Sequence, residues 1–225
     1  MASPIPQFRI WDTASNLAKK FQYNEAIALY RSVETDMKNM QEWRQNKSES
    51  DILFDQTMFF SDYCGTLADG GLYAEAKEMG DISLQCIEQG KFPTFKSVYY
   101  NIGNIYLFQH NYEQALEWYE HVLNNAKPNH LINSGIALYY LKKINEAKIT
   151  FELAIEKSKG SKFANSFEPY FYLMKIYQMQ DVEKESPKYK KMYLTRLKKY
   201  TQIEIEWATS TMEDRKEILA DYSYN

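Results

Sequence analysis

The stretch YEQALEWYEHVL, residues 112–123, decides the fold, because the chain writes its pattern three more times. YNEAIALYRSVE occupies 23–34, YAEAKEMGDISL 73–84 and INEAKITFELAI 144–155. With Ala26, Ala76, Ala115 and Ala147 as anchors, successive copies stand 50, 39 and 32 residues apart. Repetition at such a period outranks other readings, since it announces small units that stack. Tyr30, Gly80, Tyr119 and Phe151 follow the anchors by four positions, and Val33, Ser83, Val122 and Ala154 by seven. Steps of four and seven trace one face of a helix.

A second helix precedes each anchor. Twelve positions upstream sits a small residue (Ala14, Cys64, Gly103 or Gly135), with Leu17, Leu67, Tyr106 or Leu138 three further on and Ile10, Phe60, Tyr99 or Leu131 four before it. The joining segments, such as FQHN at 108–111 and KKIN at 142–145, are polar and too brief for anything but an antiparallel helix pair. The small residue and the alanine let the two helices approach, and the aromatic fills the space under the next pair.

This pattern resembles the tetratricopeptide repeat (TPR), a helix-turn-helix unit of about 34 residues. The resemblance is fullest at 97–128, up to Pro128, good at 7–40 and 129–160, and weaker at 57–90, where Gly80 and Ser83 replace the aromatic and an alanine. A degenerate fifth copy at 167–200 has Tyr170, Leu173 and Tyr177 on its first helix, but Met174 in the small position and no anchoring alanine. The resemblance implies one domain over 1–225. Its expected fold is all-α, a right-handed superhelix (α-solenoid) of four to five TPR-like helix pairs plus C-terminal capping helices. The extra residues at 37–56 read as an extended second helix and a polar loop, NKSES. From 186, Ser186 reads as a cap with Pro187 in the first turn, and Tyr189, Met192, Tyr193, Leu197 and Tyr200 share a face. A last helix is expected at about 210–223, opened by a Ser210–Glu213 capping box.

Bulk properties agree. The 225 residues are 44% apolar and 25% charged, enough for a sizeable core, and 8 Gly with 6 Pro leave few tight hairpins. A net charge of -3 gives no general attraction to phosphate, so nucleic acid and anionic membrane are not expected partners. MASPIPQFRIWD lacks a secretory pattern and no window approaches 18 apolar residues, so a cytoplasmic protein without a spanning helix is expected. Cys64 and Cys86 lie 22 residues apart without a CxxC spacing and read as packed thiols.

Chemistry-bearing patterns are sparse. His110, His121 and His130 have no metal-ligand spacing, and His121 with Glu117 reads as a surface pair. The glycines form no phosphate-binding motif, and GTLADGG at 65–71 reads as a helix end at Gly70 and Gly71. Glu204 with Glu206 and Glu213 with Asp214 lack apolar enclosure, and the basic run 188–199 alternates with an apolar stripe. No enzyme activity, cofactor or metal is expected.

What remains is a binding surface. In the resembled family, residues one, two and five after the first bulky position of each copy line a concave groove. Here these are Trp11, Asp12 and Ser15; Ser61, Asp62 and Gly65; Tyr100, Asn101 and Asn104; Ile132, Asn133 and Ile136; and Phe171, Tyr172 and Lys175. Phe108, Tyr139 and Tyr140 lie one turn on. The resemblance therefore implies a partner-binding set of Tyr100, Asn101, Asn104, Phe108, Asn133, Ile136, Tyr139 and Tyr140. Asparagine can grip an extended backbone through donor and acceptor together, and aromatics supply area at little entropic cost. The family's variant that clamps a chaperone C-terminus uses basic residues where this chain has Tyr100, Asn129 and Asn133, which argues against that specificity. The expected function is a non-enzymatic adaptor holding a protein or peptide partner, as chaperone, assembly factor or neutraliser. The alternative is a structural or regulatory module whose groove is filled by its own C-terminal helix or by self-association into a homo-oligomer.

Overall fold

The computed structural model describes residues 6–40, 47–92, 95–182, 184–209 and 212–224. They fall into two compact units, 1–105 and 106–225. The first holds α1 (Pro6–Ala18), α2 (Tyr23–Lys38), α3 (Glu49–Asp69), α4 (Tyr73–Gly90) and the start of α5 (Ser97–Phe108). The second holds the end of α5, then α6 (Tyr112–Leu123), α7 (Pro128–Tyr140), α8 (Ile144–Ser158) and a 3₁₀ turn, Lys162–Asn165. It closes with α9 (Glu168–Met179), α10 (Glu185–Leu197), α11 (Gln202–Ala208) and α12 (Arg215–Ser223). In the first unit α1 pairs with α2 and α3 with α4, and α2 lies against α3. In the second, α7 pairs with α8 and α9 with α10, while α6 lies on α7 and α8 on α9. The fold is all-α, built within each unit of antiparallel pairs that stack in chain order, with no strand among the described residues.

One turn recurs inside every pair. Phe21, Gly71, His110, Lys142 and Asp181 all adopt a left-handed backbone, with φ between 54° and 80°. Each is followed by a residue whose N–H reaches back five positions. Gln22 bonds Leu17 O at 3.1 Å, Leu72 bonds Leu67 O at 2.9 Å, and Asn111 bonds Tyr106 O at 2.8 Å. Lys143 bonds Leu138 O and Val182 bonds Tyr177 O, both at 3.0 Å. This is the hydrogen-bond pattern that ends helices by satisfying an orphan carbonyl. The left-handed residue stands five positions before each anchor alanine, so Asp181 sets the fifth anchor at Ser186. Met174 and Ser186 then hold the positions occupied by Gly135 and Ala147 in the copy before.

Burial follows the repeat. Ala26, Ala76, Ala115 and Ala147 are fully buried, as are Tyr30, Tyr119 and Phe151. Where the second copy has Gly80, Ile102 fills the vacated space: a Cβ on residue 80 would lie 2.9 Å from Ile102 Cγ1. Ser83 replaces an alanine at no polar cost because its Oγ donates to Thr57 O at 2.9 Å. In the fifth copy Tyr193 is buried seven positions after Ser186, while Lys190 stands exposed where an aromatic belongs.

Several boundaries differ from expectation. α2 ends at Lys38, where Gln56 Nε2 donates to the O atoms of Met37 and Lys38 at 2.9 and 3.1 Å. The expected extension falls partly on 41–46, outside the described residues. The loop NKSES is shorter than read, since Ser48 caps α3 by accepting from Asp51 N–H and Glu49 is already helical. Ser186 is not a cap: α10 starts at Glu185, and the serine lies inside the helix as the anchor. The chain also breaks at Lys198–Thr201, where Thr201 and Glu204 form a reciprocal capping box that opens α11. α12 starts at Arg215 rather than about 210, and the Ser210 of the expected capping box lies outside the described residues.

Candidate functional site

In the first unit the groove positions are largely used by the fold itself. Trp11 Nε1 donates to Asp62 Oδ2 at 3.1 Å, and its ring meets Phe59 edge-on at 5.8 Å. Burial raises the Asp62 carboxyl, and the Trp11 hydrogen bond opposes that rise. Ser61 is fully buried, so it presents no surface. Asn101 Nδ2 donates to Ser61 O at 2.8 Å, making Asn101 a strut between α3 and α5. Tyr100 is half-buried and Asn104 is buried.

In the second unit Ile136 and Tyr139 are buried, whereas Phe108, Asn133 and Tyr140 keep partial exposure. Phe171 and Tyr172, which the resemblance placed on the groove, are fully buried. Tyr172 is stacked on Phe151 at 5.3 Å and touches Tyr139 at 4.9 Å, so these rings form the core under α7 and α9. Tyr140 stacks on Tyr112 at 4.9 Å.

A polar cluster sits on this aromatic layer. Tyr112 Oη donates to Glu213 Oε1 at 2.9 Å, and His110 Nδ1 lies 2.8 Å from the same hydroxyl. Tyr140 Oη donates to Asp214 Oδ2 at 3.0 Å, with Tyr172 Oη 3.0 Å behind it. Lys175 Nζ binds Glu217 Oε2 at 2.6 Å and lies 3.9 Å from Asp214 Oδ1. Burial is the main cause that raises the Tyr112, Tyr140 and Tyr172 phenols, so all three stay protonated and able to donate near neutral pH. Residues 213–217 thus lie against Tyr112 at the start of α6, Tyr140 at the end of α7 and Lys175 within α9, and α12 continues onto α10. Tyr222 Oη donates to Tyr200 O at 3.1 Å, just beyond the end of α10.

Of the expected set, only Tyr140 enters this cluster directly. Tyr172 and Lys175, which the resemblance placed on the groove outside that set, also enter it, whereas Tyr112, Glu213, Asp214 and Glu217 were not singled out as binding groups. Tyr112 is masked in sequence by the aromatic periodicity of the core, and the acids by a charge-rich run that reads as solvated.

Other titratable groups give the fold its character rather than a reaction centre. Burial pushes the Cys64 and Cys86 thiols to about 12 and about 11; both are free and packed. Burial lowers His130 to about 4, and its Nδ1 accepts from the Lys127 N–H at 3.3 Å. Glu168 and Asp69 are each raised to about 7 by burial, and Glu168 Oε2 has neither solvent contact nor a hydrogen-bond partner. Among the described residues no three His, Cys, Asp or Glu side chains converge to hold a metal ion. No described helix is long and apolar enough to cross a membrane.

The profile of the family described as tetratricopeptide repeat matches residues 97–129. No curated protein matches the sequence significantly. Among solved structures, a crystal structure of MamA aligns with a TM-score of 0.56 at 16% identity, over 83% of this chain and 95% of that one. A second MamA crystal structure covers 92% of this chain and 95% of its own, with a TM-score of 0.55 at 16% identity. A kinesin-light-chain-like protein of nearly identical TPR-like repeats from Podospora anserina reaches 0.59 at 12% identity, over 90% and 100%. At these identities the likeness is one of fold. Residues 97–129 thus match a tetratricopeptide repeat, and the turn that recurs in five helix pairs extends the same helix-pair fold along the chain.

Proposed function

We propose that this protein is a non-enzymatic adaptor that holds a segment of a partner polypeptide against the first helices of its repeats. One observation carries the reading. The start of α6 and the first helices α7 and α9 already grip a polypeptide segment, the chain's own 213–217, through side-chain donors. Tetratricopeptide domains are in general protein-interaction modules, which supports the same class. The proposed contact residues are the partly exposed Phe108, Asn133 and Tyr140 in the second unit and Tyr100 and Asn101 in the first, with the buried Ile136, Tyr139 and Asn104 supporting them from beneath. Asn101 has a second duty through Ser61, so its removal is expected to lower stability as well as binding.

The test is affinity capture from native extract with mass spectrometry, comparing the wild type with a Phe108→Ala/Asn133→Ala variant. The expected outcome is loss of a specific partner at unchanged helical content. Undiminished capture by the variant removes these residues from the binding surface. The same cis contacts favour a second reading, a regulatory module whose groove is filled by its own C-terminal segment. Partner capture that is absent from the wild type and appears on deleting 209–225 would favour that one.

A further inference from the structure

We propose that Tyr112, Tyr140 and Lys175 form a docking site for an acidic polypeptide segment, which the chain's own Glu213, Asp214 and Glu217 occupy as a displaceable stand-in. This deepens the partner-binding reading and rests on it.

The site is built to donate. Tyr112 and Tyr140 each give their hydroxyl proton to a carboxylate, so their remaining hydrogen bonds are accepted ones, from His110 Nδ1–H and from Tyr172 O–H. Two relays, His110 to Tyr112 to Glu213 and Tyr172 to Tyr140 to Asp214, therefore end on anionic oxygens, and each link polarises the next. Lys175 adds a cation between the acceptors Asp214 and Glu217. The donors are held rigidly: Tyr172 is fully buried and stacked on Phe151, and Tyr140 is stacked on Tyr112.

The occupant is held lightly by comparison. The Glu213 and Glu217 side chains are 56% and 44% exposed, and contacts at such exposure contribute little; of the three carboxylates only Asp214, 21% exposed, is well enclosed. The nine-residue α12 that follows has one fully buried side chain, Ile218. A rigid receptor with a weakly retained cis occupant favours exchange with a competitor in trans, whose apparent affinity is lowered by the fraction of sites already filled. The occupant also states the chemistry of that competitor: two adjacent carboxylates and a third three residues later, in a segment that turns into a helix.

The experiment uses the full chain. A Glu213→Gln/Asp214→Asn/Glu217→Gln variant removes the cis carboxylates and leaves every donor in place. The probe is a fluorescent peptide with the sequence of 209–225, followed by anisotropy at low salt. The expected result is binding to the variant at least about tenfold tighter than to the wild type. Adding Tyr140→Phe and Lys175→Met should abolish it, as should Gln and Asn at the three acidic positions of the peptide. Equal binding to variant and wild type, indifference to the peptide's acids, or displacement by equimolar inorganic phosphate overturns the proposal. If the variant unfolds, hydrogen exchange in the wild type decides: added peptide should speed exchange over 215–223, and unchanged exchange overturns the latch. A partner captured from extract by both proteins, with no peptide bound by either, sinks the acidic site and leaves the adaptor reading standing.

Discussion

At Lys142 the backbone turns left-handed with φ of 62°, a conformation that costs any residue with a Cβ. Phe21 carries the same burden, His110 and Asp181 a lighter one because such residues enter this region more readily, and Gly71 none. The five turns therefore form by position in the repeat rather than by residue type, because the bond that closes each one outweighs the cost. Lys142→Gly should stabilise the protein by about 0.5–1 kcal/mol, and Gly71→Ala should destabilise it by about 1 kcal/mol although open space surrounds it. Thermal melts of the two variants check both signs. A polar turn after the first helix was readable from FQHN and KKIN; its left-handed residue was not, since phenylalanine and lysine give no such signal.

The element scale shows why one copy is strict and another loose. A Cβ on Gly135 of α7 would lie 2.6 Å from Phe151 Cε1, and that ring is stacked on buried Tyr172 and cannot retreat. Gly135→Ala gains about 1 kcal/mol of helix propensity but meets an overpacking cost of about 1–3 kcal/mol, so a net loss is expected. Chemical denaturation should show the loss shrinking in a Phe151→Leu background. The same scale separates what the sequence displays from what it hides. Four helix pairs were legible because alanine, aromatic and small residue recur in register. The fifth lacked its alanine, and only the turn at Asp181 identifies Ser186 as its replacement. The Thr201–Glu204 capping box was readable as a threonine followed three residues later by a glutamate, but it was not singled out. The 213–217 contacts were beyond reach, because nothing local pairs Tyr112 with a glutamate 101 residues away.

Across the whole molecule, buried ionisable groups set the pH response. Glu168 is raised to about 7, so the stability it contributes is complete below its ordinary value of 4.5 and is lost as the pH rises through about 7. Asp69, also raised to about 7, acts in the same direction from its ordinary 3.8. His130, lowered from 6.5 to about 4, opposes them: its contribution is present above 6.5 and is lost as the pH falls toward 4. The melting temperature should therefore rise on acidification from pH 8 to 6.5. Glu168→Gln should flatten that rise and stabilise the protein at pH 8 by on the order of 2 kcal/mol. An unchanged pH profile in the variant would show that the Glu168 carboxyl is solvated.

The spacing of the recurring turn has a practical corollary. From the small residue to the left-handed position is seven residues in all five pairs, while the two links between pairs that lie wholly within the described residues differ, with four residues at 124–127 and nine at 159–167. Engineering that lengthens the chain, by grafting a tag or a loop, should therefore succeed at 159–161 and fail at 109–111.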